Sequence, residues 1–444
     1  MTNQTHSGYV DINDEKLAAT FRIEGDKLTL EVVERDNSFM TTMPERIELL
    51  QFRGSRNHFS LTGLFKRNHQ MRLGVGGIAT YSAQLALEDV VFESLGQITS
   101  DCWKVYLQDF SKILQVTGLE HQISFLEDQK MVLNWAYRSP KSVVLNCPKS
   151  STTIRVGQDM SSTGNMVDGP KISLRYPLSI DLPLEISLED ALTLINRIRL
   201  FFSLIMGRVL VIEEASMVIR GDAHSQHHDA KIYGLVAANK TEKPTEKIVG
   251  FDDADDLARM LDLWLENFEK LQDAIHLHMD GLSQLDLPGS LRFQIFVQAI
   301  ESLHRRTNIA DSKVIDITPI SKALRTSAVA EDVIDRVAGI LAHAHEPGLR
   351  QRLKQYWASF INEIETLRPS IDRKTFVSKV AATRNFYAHR TEPDDQVLVD
   401  SDLWDYTEII KAISHLALLK EVGGKTDGLG QAMLDNRFTQ FVIR

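Results

Sequence analysis

The chain has 444 residues, with 50 Lys plus Arg against 60 Asp plus Glu, a net charge of −10. At about 150 residues per domain the length fits two or three domains, and 43% hydrophobic with 25% charged residues is an ordinary globular balance, too apolar for a disordered chain. An acidic total argues against a protein that coats nucleic acid non-specifically, while leaving room for a local basic site.

The first twenty residues carry Asp11, Asp14 and Glu15 and no apolar run, so no signal peptide is expected. Phe21 and Ile23, then Leu28, Leu30 and Val32, read as two strands around the turn Glu24-Gly25-Asp26. Similar alternations recur at Phe59–Phe65, Lys104–Leu107, Gln122–Leu126, Val132–Tyr137, Ser142–Leu145 and Lys171–Tyr176. Short strands at this spacing predict an antiparallel sandwich or barrel-like domain. One helix interrupts them, with Ser187 as N-cap, Glu189 and Asp190 at its positive end, Gly207 at its C-terminus, and Leu188, Leu192, Ile195, Ile198 and Phe202 on one face. The greasy run Leu200–Ile212 is broken by Arg208 and too short to span a bilayer, so no membrane contact is expected. A strand pair is predicted at Val209–Glu213 and Met217–Arg220, and the polar stretch 238–247 reads as a linker. The two cysteines, Cys102 and Cys147, are read as reduced thiols of a cytoplasmic protein.

Beyond residue 250 the period becomes helical. Leu257, Leu261, Trp264, Phe268, Leu271 and Ile275 form one stripe; Leu291, Ile295, Gln298 or Ala299, and Leu303 begin the next. Further helices are predicted near 329–345, 349–367, 373–388 and 403–420, with Pro288, Pro319, Pro347, Pro369 and Pro393 at the breaks. The expected fold is α+β: an antiparallel β-rich domain over 1–245, followed by an all-α bundle over 246–444.

The segment Arg384-Asn385-Phe386-Tyr387-Ala388-His389 concentrates the candidate chemistry. Asn385 and His389 are i and i+4 and share a helix face. Arg384 and His389 lie about 140° apart on an ideal helix. They converge only if the last turn distorts, if the long Arg reaches round, or if a second subunit contributes. Arg53/His58, Arg220/His227 and Arg336/His343 have comparable spacing, but only Arg384 is followed directly by Asn. From Arg373 to Arg390 there are five basic residues (Arg373, Lys374, Lys379, Arg384, Arg390) and no acidic one, which could hold a phosphate backbone. The plainer reading is a basic helix end favoured by the dipole, with a histidine capping carbonyls.

Arg384–His389 is similar to the R-x4–6-H signature of the HEPN domains (higher eukaryote and prokaryote nucleotide-binding), specifically the ApeA-like type. Phe296–Arg306 resembles the Glu- and His/Arg-bearing helix of such domains. Phe59-Ser60-Leu61-Thr62-Gly63 and Gly74-Val75-Gly76-Gly77 resemble the ApeA N-terminal domain more loosely. The resemblance implies a metal-independent endoribonuclease, without cofactor, used in bacterial anti-phage defence by abortive infection. RNA, with transfer RNA as one candidate, is the implied substrate, a homodimer through the HEPN domain the implied assembly, and a phage-derived signal the implied trigger. Cleavage by 2′-hydroxyl attack needs a base, an acid and positive charge at phosphorus, which histidine and arginine can supply. Arg384, His389, Asn385 and Glu301 become the catalytic candidates, with Glu301 either holding Arg384 or pairing with Arg305 on its own helix. Arg305, Arg306, Lys379 and Arg390 become the RNA-binding candidates, with His304 able to extend that surface or to solvate a helix end. The alternative is a catalytically silent HEPN module that binds RNA, nucleotide or a protein partner. A third reading, a carbohydrate-binding β-sandwich on a helical dimeriser, rests on the β pattern alone.

Other clusters read more plainly. His224, His227, His228 and Asp229 lack the spacing of a zinc motif and read as a polar loop. His276/His278 and His343/His345 are two apart and point different ways on a helix. Asp252, Asp253, Asp255 and Asp256 favour a helix N-terminus. Glu392, Asp394, Asp395, Asp400, Asp402 and Asp405 could shield the basic helix or form a solvated loop leading into a helix N-terminus.

Overall fold

The computed structural model describes residues 3–34, 43–72, 76–114, 119–125, 131–138, 140–165, 169–220, 228–235, 247–284, 286–307, 318–326, 330–342, 347–389 and 395–441. The chain divides into two compact units. One comprises Met1–Ser203, Leu210–Glu246 and Asp252–Leu265; the other comprises Leu204–Val209, Lys247–Phe251 and Glu266–Arg444. The linker expected at 238–247 falls outside the described residues except for Lys247, and so do Gly74, Val75, His224, His227, His343, His345, Arg390, Glu392, Pro393 and Asp394.

In the first unit, β1 (Asn3–Ile12), β2 (Glu15–Glu24), β3 (Lys27–Val33), β4 (Arg46–Gly54), β5 (His58–Arg72) and β6 (Gly76–Ala83) are antiparallel neighbours in the order β5-β4-β1-β2-β3-β6. Because β6 also pairs with β5, the six strands close into a barrel without free edges. Alternate residues point inward: Leu17, Ala19, Phe21 and Ile23 on β2 and Leu28, Leu30 and Val32 on β3 are buried. The rings of Phe21, Phe52 and Phe59 meet at 5.0 to 6.2 Å between centroids. The first half of β5 pairs with β7 (Leu85–Glu88), the second half with β6. At the corner Gly63 has φ +58°, and an added Cβ would lie 2.4 Å from Gln84 Oε1. Only glycine adopts this conformation freely there. Gly63→Ala should therefore destabilise the unit by about 1–3 kcal/mol, read as a lower urea midpoint; an unchanged midpoint would contradict the strain.

The sheet continues past β7 through β8 (Thr99–Leu107), β11 (Val143–Cys147), β12 (Thr152–Val156), β15 (Pro177–Ser187), β16 (Ile212–Ile219) and β17 (His228–Tyr233) in the order β11-β12-β15-β8-β16-β17-β7. The short helix α1 (Ser111–Leu114) and the hairpins β9 (Leu119–Phe125) with β10 (Met131–Tyr137) and β13 (Asp159–Asn165) with β14 (Gly169–Arg175) complete the strand region. The register explains the burial. Leu145, Ile154, Ile180, Trp103, Met217 and Ala230 form one cross-strand row and are all buried. The row one residue along reads Val144, Arg155, Ser179, Lys104, Ser216 and Lys231. The strand pair expected at Val209–Glu213 and Met217–Arg220 is instead the single strand β16. Glu214 sits within it because Arg175 and Lys231 meet its carboxylate at 3.1 and 3.4 Å, so the acidic pair is no break.

The expected helix is α2 (Leu188–Met206). Ser187 Oγ accepts from Asp190 N at 3.2 Å, and Gly207 follows its end at φ +67°. Phe202 packs edge-on against Phe110, and Phe201 against Trp264.

The helices that follow are α3 (Ala254–Ser283), α4 (Gly289–Thr307), α5 (Thr318–Arg325), α6 (Glu331–Ala342), α7 (Leu349–Ser359), α8 (Ile361–Leu367), α9 (Arg373–His389), α10 (Asp400–Glu421) and α11 (Leu429–Asp435). The acidic run does start a helix: Asp253 Oδ1 accepts from Asp256 N at 2.9 Å. The whole predicted stripe of α3 is buried. On α4 the expected stripe holds at Ala299 and Leu303, which are buried, but not at Leu291 and Gln298, which are exposed; Phe293, Phe296, Val297 and Ile300 complete the buried face. The two phenylalanines bring more apolar area than the leucine stripe and decide the orientation. The single helix expected at 349–367 is two, broken at Phe360 with φ −129° and ψ 30°. Phe360 is buried there and stacks on Tyr356. The expected helix ends elsewhere agree within a few residues, while α5 and α11 have no counterpart in the sequence reading. Glu363 on α8 holds the start of α11, accepting from Gly428 N and Gly430 N at 3.0 and 2.6 Å.

α10 is buried almost all round from Asp405 to Leu419, the mark of a central helix. It carries a polar network into the core. His278 Nδ1 lies 3.0 Å from Ser414 Oγ, and His278 Nε2 lies 3.2 Å from His415 Nδ1. His276, two residues earlier, is exposed, so the pair on α3 does diverge. Burial and the neighbouring Lys411 push His415 down to about 3, and burial with the neighbouring His415 and Lys411 pushes His278 well below its ordinary value. In the unfolded chain both imidazoles protonate near about 6.5. Below that pH the unfolded chain takes up protons that the fold refuses, so stability is full above it and falls as the pH drops toward the folded values. A urea midpoint that falls steeply from pH 7 to 5, and falls less in His415→Leu, is the expected result. Equal slopes in the two proteins would refute this origin.

Candidate functional site

The motif helix α9 starts on a strong cap. Asp372 Oδ1 accepts from Lys374 N and Thr375 N at 2.9 and 3.0 Å, and hydrogen bonds led by Thr375 hold its carboxyl below the ordinary value. Its buried face is Phe376, Val377, Val380, Ala381 and Thr383. Arg384 is the next residue in the row after Phe376 and Val380, at i+4 steps, so it rims the buried face instead of standing free in water. The chain that leaves α9 is tied back to it: Thr383 Oγ accepts from Leu398 N at 2.8 Å, and Ser378 Oγ meets Gln396 Oε1 at 3.4 Å.

α4 packs beside α9, and this brings Glu301 to Arg384. One guanidinium nitrogen, NH2, lies 3.5 Å from Glu301 Oε2, with the side chains 34% and 20% exposed. That separation is longer than the 2.7–2.9 Å of a charge-assisted hydrogen bond. The carboxylate therefore orients the guanidinium and leaves N–H groups for a further acceptor. Asn385 and His389 are exposed, and neither side chain has a hydrogen-bond partner among the described residues. α9 stays α-helical through His389, so the last turn does not bend to bring Arg384 and His389 together. Arg384, engaged toward α4, is not reaching round either. Both side chains remain accessible to solvent, neither sealed within the bundle.

The remaining candidates are dispersed. Lys379 lies 3.8 Å from Asp402 and over the Tyr406 ring at 5.8 Å. Arg306 is exposed and lies 3.3 Å from Asp273, and Arg305 is exposed on the same helix end. Arg390 lies outside the described residues. His304 corrects both readings made of it: it is buried, it meets Gln355 Oε1 through Nε2, and it sits edge-on to Tyr356. In the acidic stretch, Asp405 is a core residue paired with Arg368 at 2.8 Å, neither a shield nor a solvated loop. Arg352 escaped the sequence reading. It is buried, and its NH1 donates to Glu301 O at 3.0 Å. The signal was available, since Arg352 shares a helix face with Leu353, Tyr356 and Trp357, where a cation is out of place. Among the described residues, no three or more His, Cys, Asp or Glu side chains gather as a metal site, and no helix is long and apolar enough to cross a membrane.

A half-exposed arginine held by a carboxylate, with asparagine and histidine on the adjoining exposed face of one helix, defines a basic polar site on an α-helical module. Residues 295–427 match the family model described as Apea-like HEPN. This part of the chain is an Apea-like HEPN domain, and it contains Glu301, Arg384, Asn385 and His389. No curated protein and no solved structure matches the chain.

Proposed function

We propose that the protein is a HEPN-type endoribonuclease of bacterial anti-phage defence, acting in the cytoplasm by abortive infection. The observation that supports it is the placement of Arg384: oriented by Glu301 yet about a third open to solvent, on the same helix as an exposed His389. On one straight helix the two point about 140° apart, so a single chain offers an incomplete site. Two copies paired through this domain would supply two His389 and two Arg384 to one cleft. One imidazole takes the 2′-hydroxyl proton as the 2′-oxygen attacks phosphorus. The other protonates the departing 5′-oxygen, leaving a 2′,3′-cyclic phosphate and a 5′-hydroxyl. Arg384 donates to the non-bridging oxygens as charge builds, and Asn385 donates to phosphate or orients His389. Lys379, Arg305, Arg306 and Arg390 guide the RNA backbone. In this reading residues 1–245 sense a phage-derived signal and residues 246–444 cut.

The catalytically silent module is the second reading. It is favoured by the carboxylates already facing Arg384, Lys379 and Arg306. Full-length protein incubated with total RNA, with and without chelator, separates the two. Cleavage that persists in chelator and leaves cyclic phosphate ends supports the nuclease, with transfer RNA the first substrate to sequence. RNA binding without cleavage, by folded protein challenged in either condition, overturns it.

A further inference from the structure

Behind Glu301 the face of α4 is pinned to α7 by two polar rungs at matching spacing. Arg352 NH1 donates to Glu301 O at 3.0 Å, and its Nε donates to Pro347 O at 2.8 Å. Three residues further along each helix, His304 Nε2 meets Gln355 Oε1. Arg352 and His304 are both buried, whereas Gln355 is exposed. Residues three apart lie on one helix face, so the two rungs restrain how the C-terminal half of α4 is rotated about its axis, as Arg292 against Glu408 does nearer its start. That rotation decides where the Glu301 carboxylate points. The face led by Phe293 and Phe296 sets which side of α4 turns inward, but apolar contact is not directional; the hydrogen bonds trim the rotation near Glu301. The Tyr356 ring closes the ladder, edge-on to His304 at 5.6 Å and stacked on Phe360.

We infer that Arg352, His304 and Gln355 are positioning residues for the Arg384 site. They hold α4 in the one rotation that places the Glu301 carboxylate against the Arg384 guanidinium. The inference rests on the nuclease reading for its catalytic consequence, and on geometry alone for the placement of Arg384. His304 thereby serves the active site without touching RNA.

Gln355 gives a gentle variant because it lies at the surface. Gln355→Leu removes one rung, and Gln355→Glu restores an acceptor for the imidazole. Two readouts are taken on the full-length protein: the nitrogen NMR signal of the Arg384 guanidinium, assigned with Arg384→Lys, and the steady-state constants for RNA cleavage. In Gln355→Leu the Arg384 signal should shift, and kcat should fall about tenfold with KM within about twofold, as a misplaced group predicts. Gln355→Glu should recover both. Arg352→Lys should show the same pattern more strongly if it folds. A Gln355→Leu protein that melts lower, yet keeps the wild-type Arg384 signal and kcat, overturns the inference, because the ladder then only stabilises. A wild-type protein that cuts no RNA, with an Arg384 signal that still follows Gln355, overturns the nuclease reading and supports the positioning.

Discussion

His389→Ala should abolish RNA cleavage while leaving the melting temperature where it was. The two halves of this expectation come from the same fact: His389 is exposed at the last position of α9, with no hydrogen-bond partner among the described residues. Removing an exposed side chain with no partner among the described residues should move stability by no more than about 0.5 kcal/mol. If His389 transfers a proton as proposed, its removal should by contrast cost about 10²–10⁴-fold in rate. Arg384→Ala should lose about 10²–10³-fold as well, but it also leaves Glu301 without its cation and should melt lower. Arg384→Lys keeps the charge and loses the planar fork, so it should not rescue cleavage. Mixed dimers make the sharper test. If the two imidazoles divide the acid and base roles, a dimer with one His389→Ala subunit loses nearly as much as the double variant. Full activity per dimer would show that each subunit works alone, and the divided mechanism would fall.

Periodicity located α2, with its Ser187 and Gly207 ends, and the α3 stripe, because buried apolar residues at helical spacing have no other use. It did not reach β1, whose Asn3–Gly8 half is polar and is a strand only because β2 pairs with it residue for residue. Nor could it show the barrel, since closure depends on β6 pairing with β5 on one side and β3 on the other, which no strand's own alternation reveals. On the site, the spacing from Arg384 to His389 was visible, but not that Glu301, 83 positions upstream, would face Arg384. Pairing between helices is set by their packing, and one chain carries no periodic trace of it. His304 shows the cost of reading charge runs: its neighbours Arg305 and Arg306 are at the surface, while one step round the helix it is in the core.

Glu408→Gln should be the most damaging single change in the helical unit, at about 3–5 kcal/mol. Glu408 is buried between two cations: Lys411 Nζ lies 2.5 Å from its Oε2 and Arg292 NH1 lies 3.1 Å from its Oε1. The same Oε2 accepts from Gln440 N at 2.9 Å, and Lys411 also donates to Phe438 O, so the C-terminal segment hangs on this triad. Glutamine preserves shape and removes the negative charge between them, leaving two buried cations to repel each other. Lys411 has a way out that Arg292 lacks. Burial already lowers it to about 8, against the pull of Glu408. Without that pull its proton leaves more readily. Lowered in the fold against about 10.4 in the unfolded chain, Lys411 makes stability rise with pH through this range. In Glu408→Gln the rise should begin at lower pH, so part of the loss should be recovered by pH 9. Replacing all three together, as Arg292→Leu, Glu408→Leu and Lys411→Met, removes the charges along with their desolvation penalty and should cost less than Glu408→Gln alone. Urea midpoints at pH 7 and pH 9 for these variants decide the matter. A Glu408→Gln protein as stable as wild type at pH 7 would mean that the carboxylate is not what compensates Lys411 and Arg292.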